Sequence, residues 1–176
     1  GAVVSGNCKR HGGEERGVVV NAFGIGSRPL WLTMGAFGCG YLAVTLYANA
    51  DVAGLWQWVG IIAGFLFFAA GAFLTLEAPG DPLAVPTTVL IAVLAVAGVT
   101  ASLFSLPFPL THAMQTGPSM GASVIILAFV AVRGRPLAAW SASIVISLLA
   151  TEWGHVAIGD AMWGLAVSLP GYAIMI

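Results

Sequence analysis

The sequence predicts an all-α protein, a polytopic transmembrane helical bundle of about six spans with its N-terminus in the cytoplasm. Of its 176 residues, 59% are hydrophobic and 7% are charged, whereas an ordinary soluble domain carries roughly 25% charged residues. Six basic and seven acidic side chains are too few to cover a water-exposed surface, so lipid is the solvent that fits. The net charge of -1 and the lack of basic runs predict that nucleic acid is not a partner.

The apolar runs divide the chain into a tail and one membrane domain. Residues 1–29 are rich in glycine and charge and predict a polar tail, and residues 30–176 predict a single transmembrane domain. A crossing helix needs roughly 20 apolar residues. The runs predict spans at about 30–48, 55–76, 83–104, 118–132, 137–151 and 153–176. The fourth and fifth predicted spans are short, so each either crosses the bilayer fully or enters and leaves it on the same side, and both alternatives stay open. The missing initiating Met and the apolar end at Ile176 predict a piece of a longer chain.

Three arginines predict the orientation of the spans. Arg28 precedes the first span, and Arg133 and Arg135 lie between the fourth and fifth. Cytoplasmic loops carry an excess of Lys and Arg, and an even number of crossings separates these two positions, so both can be cytoplasmic. Tryptophans near the ends of the spans, Trp153 at the outer side among them, predict interfacial belts. We therefore expect a multi-pass protein of a bacterial plasma membrane.

Pairs of small residues one helical turn apart predict close contacts between helices, because lipid satisfies large apolar side chains as well as a neighbouring helix does. The pairs are Gly60 and Gly64, Gly117 and Gly121, and Ala157 and Ala161. Ser143 and Ser147 add a polar pair, which fits either packing or the lining of a polar path. The expected partner is the lipid bilayer, with a homo-oligomer or a second membrane subunit left open.

Ionisable residues inside a bilayer are costly, so they mark a functional site by default. The predicted outer side gathers His112, Glu152, His155 and Asp160, and Asp160 is the deepest of them. A histidine near Asp160 would give a proton-responsive pair, while the simpler alternative is an aspartate that stabilises helix packing. The spacing matches no metal motif, so we predict neither a metal nor a cofactor.

Residues 117–121, read GPSMG, match G-x-S-x-G. With Ser119 at the mouth of the fourth span and His155 at the mouth of the sixth, the outline resembles rhomboid intramembrane proteases, which implies a serine and histidine pair. The sequence departs from that family because Met120 follows the serine and the first loop, NADVAG, is short. We therefore favour packing for Ser119 and keep it within the candidate ligand site, with an intramembrane serine protease as a further alternative function.

The composition, rich in Ala, Val, Leu and Gly with a brief RGRP hairpin, also resembles the multi-span input regions of actinobacterial sensor histidine kinases. That resemblance implies a membrane sensor or anchor module of a longer signalling protein. Against it stands the preferred expectation, a small transporter or channel-like component with a proton- or cation-linked solute site at the outer residues. The sequence names no solute.

Overall fold

The computed structural model describes residues 28–51, 53–106, 110, 115–159, 162, 166, 169 and 171–174. All regular structure within these residues is helical, which confirms the all-α class. The helices are α1 (Arg28–Asn49), α2 (Leu55–Glu77), α3 (Val85–Phe104), α4 (Gly117–Val132) and α5 (Pro136–Ile158). Residues 171–174 are helical as well.

Helix length and composition support a membrane protein. In the described part of the chain α1, α2, α3 and α5 are long and apolar enough to cross a membrane, and α4 is a shorter apolar helix of 16 residues. At 1.5 Å per residue α4 is about 24 Å long, less than the roughly 30 Å of a hydrocarbon core. The count of six spans stays a prediction, because most of residues 160–176 lies outside the described residues.

The first four helices begin and end within two residues of the predicted spans, but the fifth differs. No break occurs near Thr151, since α5 continues through Glu152 and His155 to Ile158. It ends at Gly159, whose φ of 76° is left-handed and whose N–H donates to the His155 carbonyl oxygen at 3.1 Å. The fifth helix therefore has 23 residues and spanning length. Trp153, predicted at the outer interface, is 1% exposed and lies in the core.

The central helix of the bundle is α4. It contacts α1, α2, α3 and α5, whereas among the described helices α1 contacts only α2 and α4. Accordingly, half the residues of α4 are buried, while Thr45 and Asn49 are the buried residues of α1. The core lies between α2, α3, α4 and α5, and α1 lies at its edge.

Hydrogen bonds between helix ends define two ends of the bundle. At the arginine end, which holds Trp31, Glu77, Asp81 and Arg133, the indole Nε1 of Trp31 donates to Glu77 Oε1 at 2.9 Å. At the glutamine end, Gln115 Nε2 donates to Asn49 Oδ1 at 3.1 Å. Successive helices therefore run in opposite directions. The arginine positions before α1 and after α4 lie at the same end, as the predicted order of crossings requires.

Candidate functional site

The structure describes three of the five residues predicted to form an outer ligand site. His112 and Asp160 lie outside the described residues. Glu152 and His155 are three residues apart on α5, and both are exposed. They share one helix face, on the opposite side of α5 from buried Trp153 and Ala150. Neither lines the cavity described below.

Ser119 is buried near the beginning of α4, and its hydroxyl donates to the Thr116 carbonyl oxygen at 3.0 Å. No hydrogen bond joins it to His155 within the described residues. This geometry is the return bond to the local backbone that serines make in helices. In the part of the chain that the structure describes, no three His, Cys, Asp or Glu side chains are grouped to hold a metal ion.

The residues predicted to pack helices together take several different positions. Gly60 and Gly64 of α2 face α3, where a Cβ at either position would clash with Ser105 or Ser102. Gly121 faces the ring of Tyr41, and Ala157 packs at the edge of the core.

Gly117 has no close contact with another described helix, and Ala161 lies outside the described residues. Gly117 is exposed, and a Cβ there would meet no described atom within 4 Å. The α4 helix begins at Gly117, so this residue lies at one end of the helix.

A charged cluster at the arginine end was not among the predicted site residues. Arg133, predicted as a marker of topology in a turn, is 4% exposed and pairs with Asp81 at 2.9 Å. Its guanidinium also reaches backbone carbonyls at the end of α2. The available signal was that the predicted topology puts the acidic EAPGDP loop and the basic RGRP hairpin on the same side of the membrane, where opposite charges attract.

The structure also contains a cavity between α1, α2 and α4, which we call the lateral cavity. Its volume is about 400 Å³, within the range of roughly 300–1,000 Å³ typical of small-molecule sites. The lining side chains are apolar or aromatic and include Met34, Gly35, Gly38 and Tyr41 of α1, Phe65, Phe68 and Ala72 of α2, and Ala122, Ile125 and Ile126 of α4. None of its lining residues is charged.

Contacts at both ends of α1 hold the lateral cavity open. At the arginine end Trp31 bonds to Glu77 and its ring lies 5.8 Å from that of Phe73. At the glutamine end Asn49 accepts from Gln115. Between these contacts Gly35 and Gly38 face open space, with no described atom within 4 Å of an added Cβ. The cavity exists because α1 carries glycines where a larger side chain would fill the gap.

These features define an all-α protein whose helices are apolar enough to span a membrane and border an apolar, partly open cavity at the edge of the bundle. The chain belongs to the family DUF8320, described as a domain of unknown function, whose model matches residues 27–176. No curated protein and no solved structure matches the chain.

Proposed function

We propose that this protein is an integral membrane protein that binds an apolar small molecule from the lipid phase in its lateral cavity. The observation that carries the proposal is the cavity of about 400 Å³ between α1, α2 and α4, lined by apolar and aromatic side chains. Ligand pockets are predominantly apolar and of this size. The peripheral position of α1 supports entry from the bilayer, because within the described residues α1 contacts only the helices α2 and α4.

The test is a substitution on α1 that fills the lateral cavity with a larger side chain. Gly38→Leu places a side chain in the cavity, where a Cβ meets nothing within 4 Å. The matched control is Gly40→Leu, since Gly40 is equally unobstructed but does not line this cavity. Both changes raise helix propensity alike. Purified protein in lipid nanodiscs is exposed to a photoreactive fatty acid, and labelled peptides are identified by mass spectrometry.

We expect labelling of α1, α2 and α4 peptides in the parent chain and in Gly40→Leu, and loss of most of it in Gly38→Leu. Equal labelling of the two variants would mean that the probe marks the outer, lipid-facing surface only, and the proposed function would fail. Unfolding temperatures of both variants are measured alongside, so that misfolding is not mistaken for a filled cavity.

The proposal includes an orientation, with the arginine end in the cytoplasm of a plasma membrane. Arg28 and the hairpin of Arg133 and Arg135 lie at one end of the bundle, and basic residues favour the cytoplasmic side. In a background with Cys8 and Cys39 replaced by serine, Asp51→Cys should react with an impermeant thiol reagent on intact cells and Pro79→Cys should not. Both positions are exposed. The reverse pattern would invert the orientation.

A second candidate is the proton- or cation-linked transport expected from the sequence. Its support is the shared exposed face of Glu152 and His155 near the end of α5. If these groups carry protons, His155→Ala should reduce proton flux into liposomes, measured with a trapped pH dye, while Ser141→Ala on the same helix should not. Unchanged flux in both variants would leave the cavity as the site of function. The sensor module expected as an alternative would bind its ligand in the same cavity and signal that binding to the rest of the protein, with no proton flux across the membrane.

A further inference from the structure

The guanidinium of Arg133 is enclosed by oxygen atoms. Nη1 donates to the Thr75 carbonyl at 2.6 Å, Nη2 to the carbonyls of Ala78 and Gly80 at 2.7 and 2.8 Å, and Nε to Asp81 Oδ1 at 2.9 Å. These bonds use four of the five N–H donors of an arginine. Arg133 is 4% exposed, so its charge depends on these partners instead of on water.

The oxygens come from the end of α2 and the loop that follows it. The last carbonyls of a helix have no partner within the helix, and they carry the negative end of its dipole. Here the loop turns back after Glu77, so Thr75, Ala78 and Gly80 direct their carbonyl oxygens at one point. Asp81 adds a carboxylate. Three carbonyls and one carboxylate form a site for a planar cation.

Further contacts join this loop to the hairpin between α4 and α5. The Leu83 N–H donates to the Arg133 carbonyl at 3.3 Å, and Arg135 Nε donates to the Leu83 carbonyl at 2.8 Å. Gly134 has a φ of 77°, and a Cβ there would lie 3.0 Å from the Pro82 Cβ. The loop and the hairpin therefore pack as one unit, and Arg133 is the residue of the hairpin that enters the carbonyl cluster.

We propose that the end of α2 is a guanidinium-binding site, which Arg133 occupies in the intact chain and which holds α2 against the α4–α5 hairpin. The arrangement of these oxygens matches the planar fork of N–H donors of a guanidinium, which an ammonium cannot reproduce. The site is independent of the lateral cavity. When Arg133 is removed, the carbonyls of Thr75, Ala78 and Gly80 remain, so the site takes a free alkylguanidinium ion.

The test is rescue by methylguanidinium, at concentrations well below those that denature, of Arg133→Ala protein in detergent. Arg133→Ala leaves the carbonyls of Thr75, Ala78 and Gly80 without their donor, and a hydrogen bond to a charged group contributes roughly twice as much to stability as one between neutral groups. The unfolding temperature should therefore fall by on the order of 10 °C. Methylguanidinium should restore a large part of that loss. The control is Arg135→Ala, which removes one bond to Leu83. Its unfolding temperature should fall less and should not change when methylguanidinium is added. The intact protein should not respond either.

Two results would overturn the proposal. One is an Arg133→Ala protein as stable as Arg135→Ala, and the other is an equal response of all three proteins to methylguanidinium. If Arg133→Ala does not accumulate in membranes, Arg133→Lys carries the test. The single ammonium of this lysine cannot reach Thr75 and Asp81 together. The Arg133→Lys protein should therefore unfold at a lower temperature than the Arg135→Lys protein. Equal unfolding temperatures of the two lysine variants would exclude a guanidinium site.

Discussion

Glycines on α2 and glycines on α1 have opposite surroundings. On α2, Gly64 lies against α3, and a Cβ there would be 2.8 Å from the Gly98 carbonyl oxygen and in contact with the Ser102 hydroxyl. On α1, Gly35 and Gly38 face the lateral cavity, with no described atom within 4 Å of an added Cβ. The same residue type closes one helix interface and leaves another open.

The difference comes from what each helix packs against. Close approach of α2 and α3 brings Gly98 under the Phe68 ring, where a Cβ would lie 2.5 Å from the ring. The α1 helix has polar contacts at its ends, Trp31 to Glu77 and Asn49 to Gln115, and one close contact between them, where the Tyr41 ring lies against Gly121 of α4. In a membrane, where lipid competes for apolar side chains, small-residue packing and interhelical hydrogen bonds are the two available means of association. In this protein small-residue packing joins α2 to α3, and α1 combines hydrogen bonds at its ends with the single close contact of Tyr41 and Gly121.

The largest expected effect of breaking this contrast is that of Gly64→Leu. The side chain meets backbone atoms of Gly98 and Ser102, which cannot move without separating α2 from α3. We expect a loss of about 3 kcal/mol in the free energy of unfolding, the upper end of the typical cost of overpacking. The measurement is unfolding of the purified protein in mixed micelles, with Gly38→Leu as the control.

Gly38→Leu should change the free energy of unfolding by less than about 1 kcal/mol, since its side chain enters open space and α1 gains helix propensity. If both leucine variants were equally destabilised, α1 would pack against the bundle as tightly as α3 does. The contrast between the two helices would then be lost.

The all-α class and the bounds of the first four helices could be predicted because apolar run length and Gly or Pro punctuation are local properties. The end of α5 could not be predicted, since Glu152 and His155 resemble a loop in sequence but lie on an exposed face of a continuing helix. The roles of Gly38 and Arg133 depend on which helices meet and how closely. No local pattern distinguishes a glycine at a cavity from one at an interface, or a buried arginine from one in a solvated turn.

The next effect in size is that of Asn49→Ala, which removes the polar contact at one end of α1. Asn49 is fully buried, accepts from Gln115 and donates to the Thr45 carbonyl at 2.9 Å. Interhelical hydrogen bonds in membranes contribute roughly 1–2 kcal/mol in model peptides, so we expect a loss of that order. Thr33→Ala serves as the control, because its hydroxyl bonds only within α1.

The same variant, Asn49→Ala, should loosen one end of α1. Relative to the parent chain, hydrogen exchange of its backbone amides should become faster in α1 more than in α3. Uniform exchange across both helices would mean that α1 is held by more than its end contacts.

The smallest effect concerns Tyr172, which tests whether a polar contact also holds the C-terminal helical residues against α4. Tyr172 is fully buried, and its hydroxyl lies 2.7 Å from Ser123 Oγ. The single proton of Ser123 goes to the Met120 carbonyl at 2.7 Å, so Tyr172 is the donor.

Tyr172→Phe removes this bond and keeps the ring, which predicts a loss of about 0.6 kcal/mol, the average for such bonds in a membrane protein. Ser123→Ala should cost a similar amount, and the double variant should cost less than the two single losses combined, because both act on the same bond. Strictly additive losses would show that residues 171–174 are held by packing alone, as α2 and α3 are.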